Sequence, residues 1–310
     1  MTAWRTVVSR ARTCFVPGCG ETCVINSHSL SASFPLKVIQ RKGFVYQLSP
    51  DRGCDMRRAY QNGRFIQHVS KVAVSRASVF NGFCNFHDTQ EFKHIDVAEL
   101  KVDDPVVVKE LYLRSVSRHM AILEDNVRWV EEVNRISEHK DPQITNGETD
   151  PQLAYESDLR RYWFPLWESR NPDLVKWHWR IIPKILGVSA STLYPMAGDL
   201  VGEQWFYNNG ARPLISLSII PQGNNVTHVV FAWWYEWDEL MQVFAQKLDE
   251  LSEKEFLGLV NKIVFTKSDG YCISPRVWEN LTRDERAAIE NYSQMDCFQD
   301  RRIGLPNLIV

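Results

Sequence analysis

Between residues 103 and 137 apolar side chains recur at helical spacing: Val108, Leu111, Val116, Met120, Leu123, Val127, Val130 and Val133. A period of three to four residues predicts one long amphipathic helix. Asp103-Asp104-Pro105 starts it, with an acidic cap and then Pro in the first turn. The apolar stripe of residues 105–137 is expected either to brace an N-terminal module against the rest of the chain or to form the seam of a homo-oligomer or protein partner. Behind it, 138–151 is polar and holds Asp-Pro, Asn-Gly and Asp-Pro pairs, the signature of a linker.

Downstream the period changes. Residues 175–182 alternate apolar and polar as a strand does. Residues 214–220 and 227–234 flank Pro221-Gln-Gly-Asn-Asn225, which predicts a hairpin with a loop of five or six residues. Helices are expected over 237–251, 253–264 and 275–292, the last with a capping-box sequence, Thr282 to Glu285, inside it. Asp269 to Cys272 reads as a turn. Trp177, Trp179, Trp233 and Trp234 lie on apolar runs and are expected in the core. His178 reads as a satisfied strand histidine.

The first hundred residues are less regular. A short strand is expected over 22–28, a helical turn over 35–41, a strand over 43–48, a basic loop over 49–65 and a helix over 88–95. The fold class is α+β: a small irregular module (1–100), a long helix and linker (101–150), and a larger α+β domain with an antiparallel sheet (151–310).

Charge sharpens this division. Residues 1–87 hold twelve Lys/Arg against three Asp/Glu, net +9, whereas the remainder holds twenty-four against thirty-five, net −11. A basic segment on an acidic body points to a polyanion such as DNA as partner, with Arg57, Arg58 and Arg64 as candidate phosphate contacts. No apolar stretch follows the three arginines of residues 1–12, and no run of about 18 apolar residues exists, so neither secretion nor a membrane partner is expected. A cytoplasmic, reducing location is expected. There clustered Cys and His read as metal ligands rather than disulfides. Cys54, Cys272 and Cys297 are scattered and read as ordinary thiols.

Two short pairs carry the candidate chemistry: Cys14-Phe-Val-Pro-Gly-Cys19 and Cys84-Asn-Phe-His87. Three thiolates and an imidazole suit a closed tetrahedral Zn²⁺ site. Knuckle, strand, long excursion and a helix bearing the second pair is the order of a treble clef. The 64-residue gap between Cys19 and Cys84 requires an insertion. A local set, Cys14, Cys19, Cys23 and His28, competes; the split set is preferred because the local one strands Cys84 and His87. His28 falls on the strand leaving the knuckle, where an imidazole can act as general base. Asp88 follows the last zinc ligand and can hold a hard cation, Mg²⁺ or Mn²⁺, beside a phosphate. Asn81 can orient the histidine or substrate. The bland alternatives are a hydrogen-bonded strand histidine and a helix-capping aspartate.

On these residues, segment 14–96 resembles the zinc-bearing HNH, or ββα-metal, endonucleases. The resemblance implies His28 as the strand general base, Asp88 as the terminal metal ligand and Asn81 as the family's asparagine, hence a DNA-binding hydrolase. Ser27-His-Ser-Leu30 and Gly82 to Asp88 are also similar to a group of uncharacterised bacterial proteins, which implies a place in antiviral (anti-phage) defence. The chain departs from the family pattern in three ways. The knuckle has four intervening residues rather than two, Asp88 replaces a histidine, and Ser27 stands where an acidic residue precedes the histidine. The expectation is therefore a metal-dependent endonuclease. The runner-up is a non-catalytic zinc-stabilised subunit that binds nucleic acid or protein.

Overall fold

The computed structural model describes residues 12–23, 27–32, 34–50, 60–61, 64–65, 67–136, 156–196, 213–268 and 270–292. The N-terminal part contains β1 (Ser27–His28), α1 (Pro35–Ile39), β2 (Phe44–Pro50), β3 (Tyr60–Gln61), β4 (Arg64–Phe65), β5 (Gln67–Ala73), β6 (Val79–Phe80) and α2 (Asn85–Glu91). The long helix is α3 (Pro105–Ile136). A π-helical turn (Leu159–Trp163) runs into α4 (Phe164–Ser169), followed by β7 (Val175–Ile182), β8 (Val188–Pro195), β9 (Leu214–Gln222) and β10 (Val226–Trp234). Then come α5 (Asp238–Glu250), α6 (Glu253–Lys267), β11 (Tyr271–Ile273), α7 (Pro275–Trp278) and α8 (Arg283–Tyr292).

Seven of the strands form one antiparallel sheet in the order β5–β2–β11–β8–β9–β10–β7. Side chains alternate between its faces. Ile215, Leu217 and Ile219 of β9 and Val229, Phe231 and Trp233 of β10 join Met241, Phe244 and Leu248 of α5 and Phe256, Val260 and Val264 of α6 in one core. The alternate residues, Val230, Ala232 and Trp234, turn to a second core shared with Val108, Tyr112 and Val116 of α3. Each buried Val, Leu, Ile, Phe or Met among them stabilises by about 1.5–3 kcal/mol relative to exposure. A third, smaller cluster of Leu36, Ile39, Val45, Val72 and Cys272 packs under the β5–β2–β11 end.

Strands β2 and β5, from the first hundred residues, thus share a sheet with strands of the C-terminal part. The link between them is β11, central in the sheet, where sequence pattern predicts a turn; Cys272 pairs with Gln47 on one side and Ser189 on the other. Gly270 permits this approach, since a Cβ there would lie 2.2 Å from the Ser191 carbonyl oxygen. The pattern also predicts no strand over β8, because its Ser, Ala and Thr residues are buried on both faces and carry no alternation. The β9–β10 hairpin turns on residues 223–225 alone, with Pro221 and Gln222 still paired and Asn225 at φ 63°. The single helix expected over 275–292 is two, and Thr282 caps the second through Glu285.

Trp233 and Trp234 are buried as expected, whereas Trp179 is 37% exposed on the edge strand β7. His178 lies 3.3 Å from Asp249. The predicted linker 138–151 and Arg57 and Arg58 lie outside the described residues; Arg64 falls in β4. Among the described residues no helix is long and apolar enough to cross a membrane.

Candidate metal centre

Cys14 to Cys19 closes as a tight turn. The Cys19 N–H donates to the Val16 carbonyl at 3.0 Å, and Gly18 takes φ +80°, the left-handed position that a Pro-Gly turn assigns to glycine. Thr13 bridges Thr22, and Cys14 N–H donates to Glu21 O at 2.8 Å, so the knuckle is the tip of a short hairpin. Phe15 N–H donates to Gly82 O at 2.8 Å, which fastens this tip to the approach of the second pair.

The second pair is set by burial. Phe83 is fully buried, packed on Phe15, Phe80, Phe92, Trp163 and Trp167. Its anchoring leaves Cys84 as the cap residue of α2, with His87 one turn later; Cys84 O accepts the Asp88 N–H at 2.9 Å. The helix therefore begins at Asn85, earlier than the predicted 88–95.

The donor atoms of Cys14, Cys19, Cys84 and His87 lie within 4.8 Å of one another. His87 Nδ1 is 3.4 Å from Cys14 Sγ and 3.3 Å from Cys84 Sγ. Zinc bonds of ~2.3 Å to sulfur and ~2.0 Å to nitrogen, arranged tetrahedrally, require about 3.5 Å between such atoms. The Cys₃His set can thus hold a metal ion such as zinc, with Nδ1 as the imidazole donor. Burial pushes the Cys14 thiol up to about 12. Burial also opposes ionisation of Cys84, but the His87 N–H and the Cys14 and Cys19 thiols outweigh it and hold that thiol below its ordinary value.

The competing local set does not assemble. Cys23 Sγ donates to Thr13 O at 3.0 Å, and burial pushes this thiol up to about 11. His28 Nδ1 lies 3.0 Å from Ala77 O.

β1 pairs antiparallel with β6, Ser27 opposite Phe80 and His28 opposite Val79, and α2 follows, a ββα order. Asp88 leaves α2 on a different side from the cysteine cluster and enters the electrostatic field of His28. A carbonyl oxygen can only accept, so the His28 ring carries its proton on Nδ1 toward Ala77 and leaves the Nε2 lone pair free. Burial lowers the His28 pKa, with Arg114 acting the same way against Ala77, Asp88 and Asp96. Burial raises the Asp88 carboxyl, while Arg114 and Ser27 pull it down.

Two charged groups here have no sequence signal. Arg114 of α3, 3% exposed, grips Asp96 through paired hydrogen bonds of 2.8 and 3.0 Å and lies 4.3 Å over the Phe92 ring. Asp88 Oδ1, Ser27 Oγ and Arg114 Nε are buried without a hydrogen-bond partner in good geometry. Buried polar atoms are normally paired, and although Ser27 acts on the Asp88 carboxyl, the incomplete pairing here marks a place suited to a polar ligand or hydrated ion. Asn81 contributes its main-chain carbonyl to Arg12 at 3.0 Å. Arg12, itself buried, also reaches Ala121 O, Glu124 and Asp125, tying the knuckle to α3.

The chain matches no protein-family model, no curated protein and no solved structure.

Proposed function

We propose that the chain is a metal-dependent endonuclease that hydrolyses DNA phosphodiester bonds, its fold held by zinc on Cys14, Cys19, Cys84 and His87. The observation that carries this reading is the His28 ring. Its Nδ1 is committed to the Ala77 carbonyl at 3.0 Å, and the ring and the Asp88 carboxylate act on one another electrostatically. His28 Nε2 takes a proton from water, whose oxygen bonds to phosphorus as the bond to the leaving sugar oxygen breaks. Asp88 would hold Mg²⁺ or Mn²⁺, which when bound offsets the charge growing on the phosphate. Asn81 orients the ring or the substrate, and the basic segment with Arg57, Arg58 and Arg64 holds the DNA backbone.

Nicking of supercoiled plasmid with Mg²⁺ or Mn²⁺ tests this. His28→Ala is expected to lose about 10²–10⁴ of the rate, and Asp88→Asn to lose metal dependence. Equal nicking by wild type and His28→Ala would sink it. In cells, the anti-phage role predicts reduced phage plating with wild type and not with His28→Ala.

A second reading has its own support. Cys14 and Cys84 belong to the same apolar cluster as Val116 and Trp234, as a purely structural ion's ligands would. That reading, a zinc-stabilised binding subunit for nucleic acid or protein, expects DNA retention on a gel without cleavage, unchanged in His28→Ala.

A further inference from the structure

Helix α2 has a second functional side. Asp88 faces β1, whereas Phe86, His87, Gln90 and Glu91 line a half-open cavity of about 450 Å³ whose other walls come from α3 and the Arg170–Pro172 loop. That volume lies within the ~300–1,000 Å³ of small-ligand sites.

Its chemistry is specific. Lys109 of α3 stands in the wall, half-buried, and among the described residues makes no hydrogen bond or ion pair. Of the two carboxylates whose charge reaches it, Glu91 and Glu110, the second is hydrogen-bonded to His94: Oε1 lies 2.5 Å from the ring Nδ1, and Oε2 accepts the His94 N–H at 3.0 Å. Glu91 is drawn to Arg170 at 3.9 Å. Burial lowers the Lys109 pKa; Glu91 opposes this, Arg170 adds to it, and Glu110 opposes it more weakly. An anion entering the cavity would meet three cations, Lys93, Lys109 and Arg170, beside the carboxylates of Glu91 and Glu110. At the mouth, Phe86 is 66% exposed, the highest value among the exposed large apolar residues. It packs T-shaped against His87, with ring centroids 5.2 Å apart and planes at 76°, and most of its surface stays open to solvent. An exposed aromatic ring beside a half-buried cation fits a flat base joined to a phosphate.

We propose that this cavity binds a nucleoside monophosphate unit, its base stacked on Phe86 and its phosphate on Lys109. The site calls on neither His28 nor Asp88, so it stands apart from the hydrolytic reading. The unit's source is either a free mononucleotide or a nucleotide within a single strand.

Calorimetric titration of the full chain tests this with deoxyadenosine monophosphate, deoxyadenosine, inorganic phosphate, a short single-stranded oligonucleotide and an acidic peptide. Wild type and His28→Ala are expected to bind the monophosphate alike, and more tightly than deoxyadenosine or inorganic phosphate. Lys109→Gln and Phe86→Ala are each expected to weaken it by at least about tenfold. Phe86→Ala should leave phosphate binding unchanged. Tighter binding of the oligonucleotide assigns the strand source, and tighter binding of the monophosphate assigns the free one. No binding of the monophosphate by wild type overturns the proposal. So does equal binding by both variants with their melting temperatures retained, or an acidic peptide that competes as well as the nucleotide. If Lys109→Gln unfolds, Phe86→Ala, altered at an exposed position, decides alone.

Discussion

Arg114 and Asp96, eighteen residues apart, meet in parallel hydrogen bonds of 2.8 and 3.0 Å where α3 crosses the turn behind α2. The guanidinium is buried and the carboxylate 37% exposed. Breaking a fully buried pair costs about 3–5 kcal/mol; exposure of Asp96 screens this one, and Asp96→Asn is expected to cost about 1–3 kcal/mol. Burial would raise the Asp96 carboxyl, but Arg114 outweighs it and holds the pKa below 3.8. A depressed carboxylate contributes stability above its unfolded value and loses it as pH falls through the folded one. Urea unfolding should show the wild-type advantage over Asp96→Asn near neutral pH and its decline below 3.8. A constant gap across that range would count against the ion pair as its source.

The metal centre predicts a sharp contrast between two cysteines. Cys84→Ser removes a donor from the cluster and should abolish stoichiometric metal, with a stability loss on the order of several kcal/mol because metal binding and folding are linked. Cys23→Ser only exchanges the S–H donor to Thr13 O for an O–H and should retain the metal. Metal content by elemental analysis of both purified variants decides. Retention in Cys84→Ser, or loss in a folded Cys23→Ser, would contradict the assignment. A strong chelator should lower the melting temperature of wild type and Cys23→Ser alike.

His228 on β10 predicts a second pH dependence. It is 8% exposed, its Nδ1 has no partner, and burial lowers its pKa below 6.5. The folded chain keeps the ring neutral while the unfolded chain binds a proton below 6.5, so stability drops as pH falls from 6.5 toward the folded value. In His228→Gln this part of the slope should vanish. Parallel stability curves for wild type and variant over that window would refute it.

These groups differ in how far the sequence announces them. The Cys-x₄-Cys and Cys-x₂-His pairs are local signals, each made within one turn of chain, and the four donors are legible for that reason. The helix over 105–136 and the strand over 175–182 are legible because apolar residues recur at helical spacing in the one and alternate with polar residues in the other. Strand β8 is not, since burial on both faces erases alternation. Neither is β11, three residues held in the sheet by two neighbours rather than by their own pattern. Asp96 and Arg114 join the candidate site only through the packing of α3 on α2. The cavity is hidden for the same reason, because its walls come from α2, α3 and a loop beyond α4.

That dependence on packing makes Phe83 the most informative core position. It is fully buried, precedes Cys84, and fills the space between Phe15, Phe92 and Trp167. Phe83→Ala is expected to cost about 3–5 kcal/mol, as large-to-small changes in cores do. It should also loosen the metal, since nothing else of its size fixes the main chain entering α2. The capping residue Thr282 offers a control: it accepts the Glu285 N–H at 3.2 Å on a distant helix, and Thr282→Ala should cost about 1 kcal/mol. Both variants lose stability, but only Phe83→Ala should release metal at lower chelator concentration under conditions where each remains folded. Equal chelator sensitivity would mean that the cluster is held by its own knuckle turn and not by the aromatic core behind it.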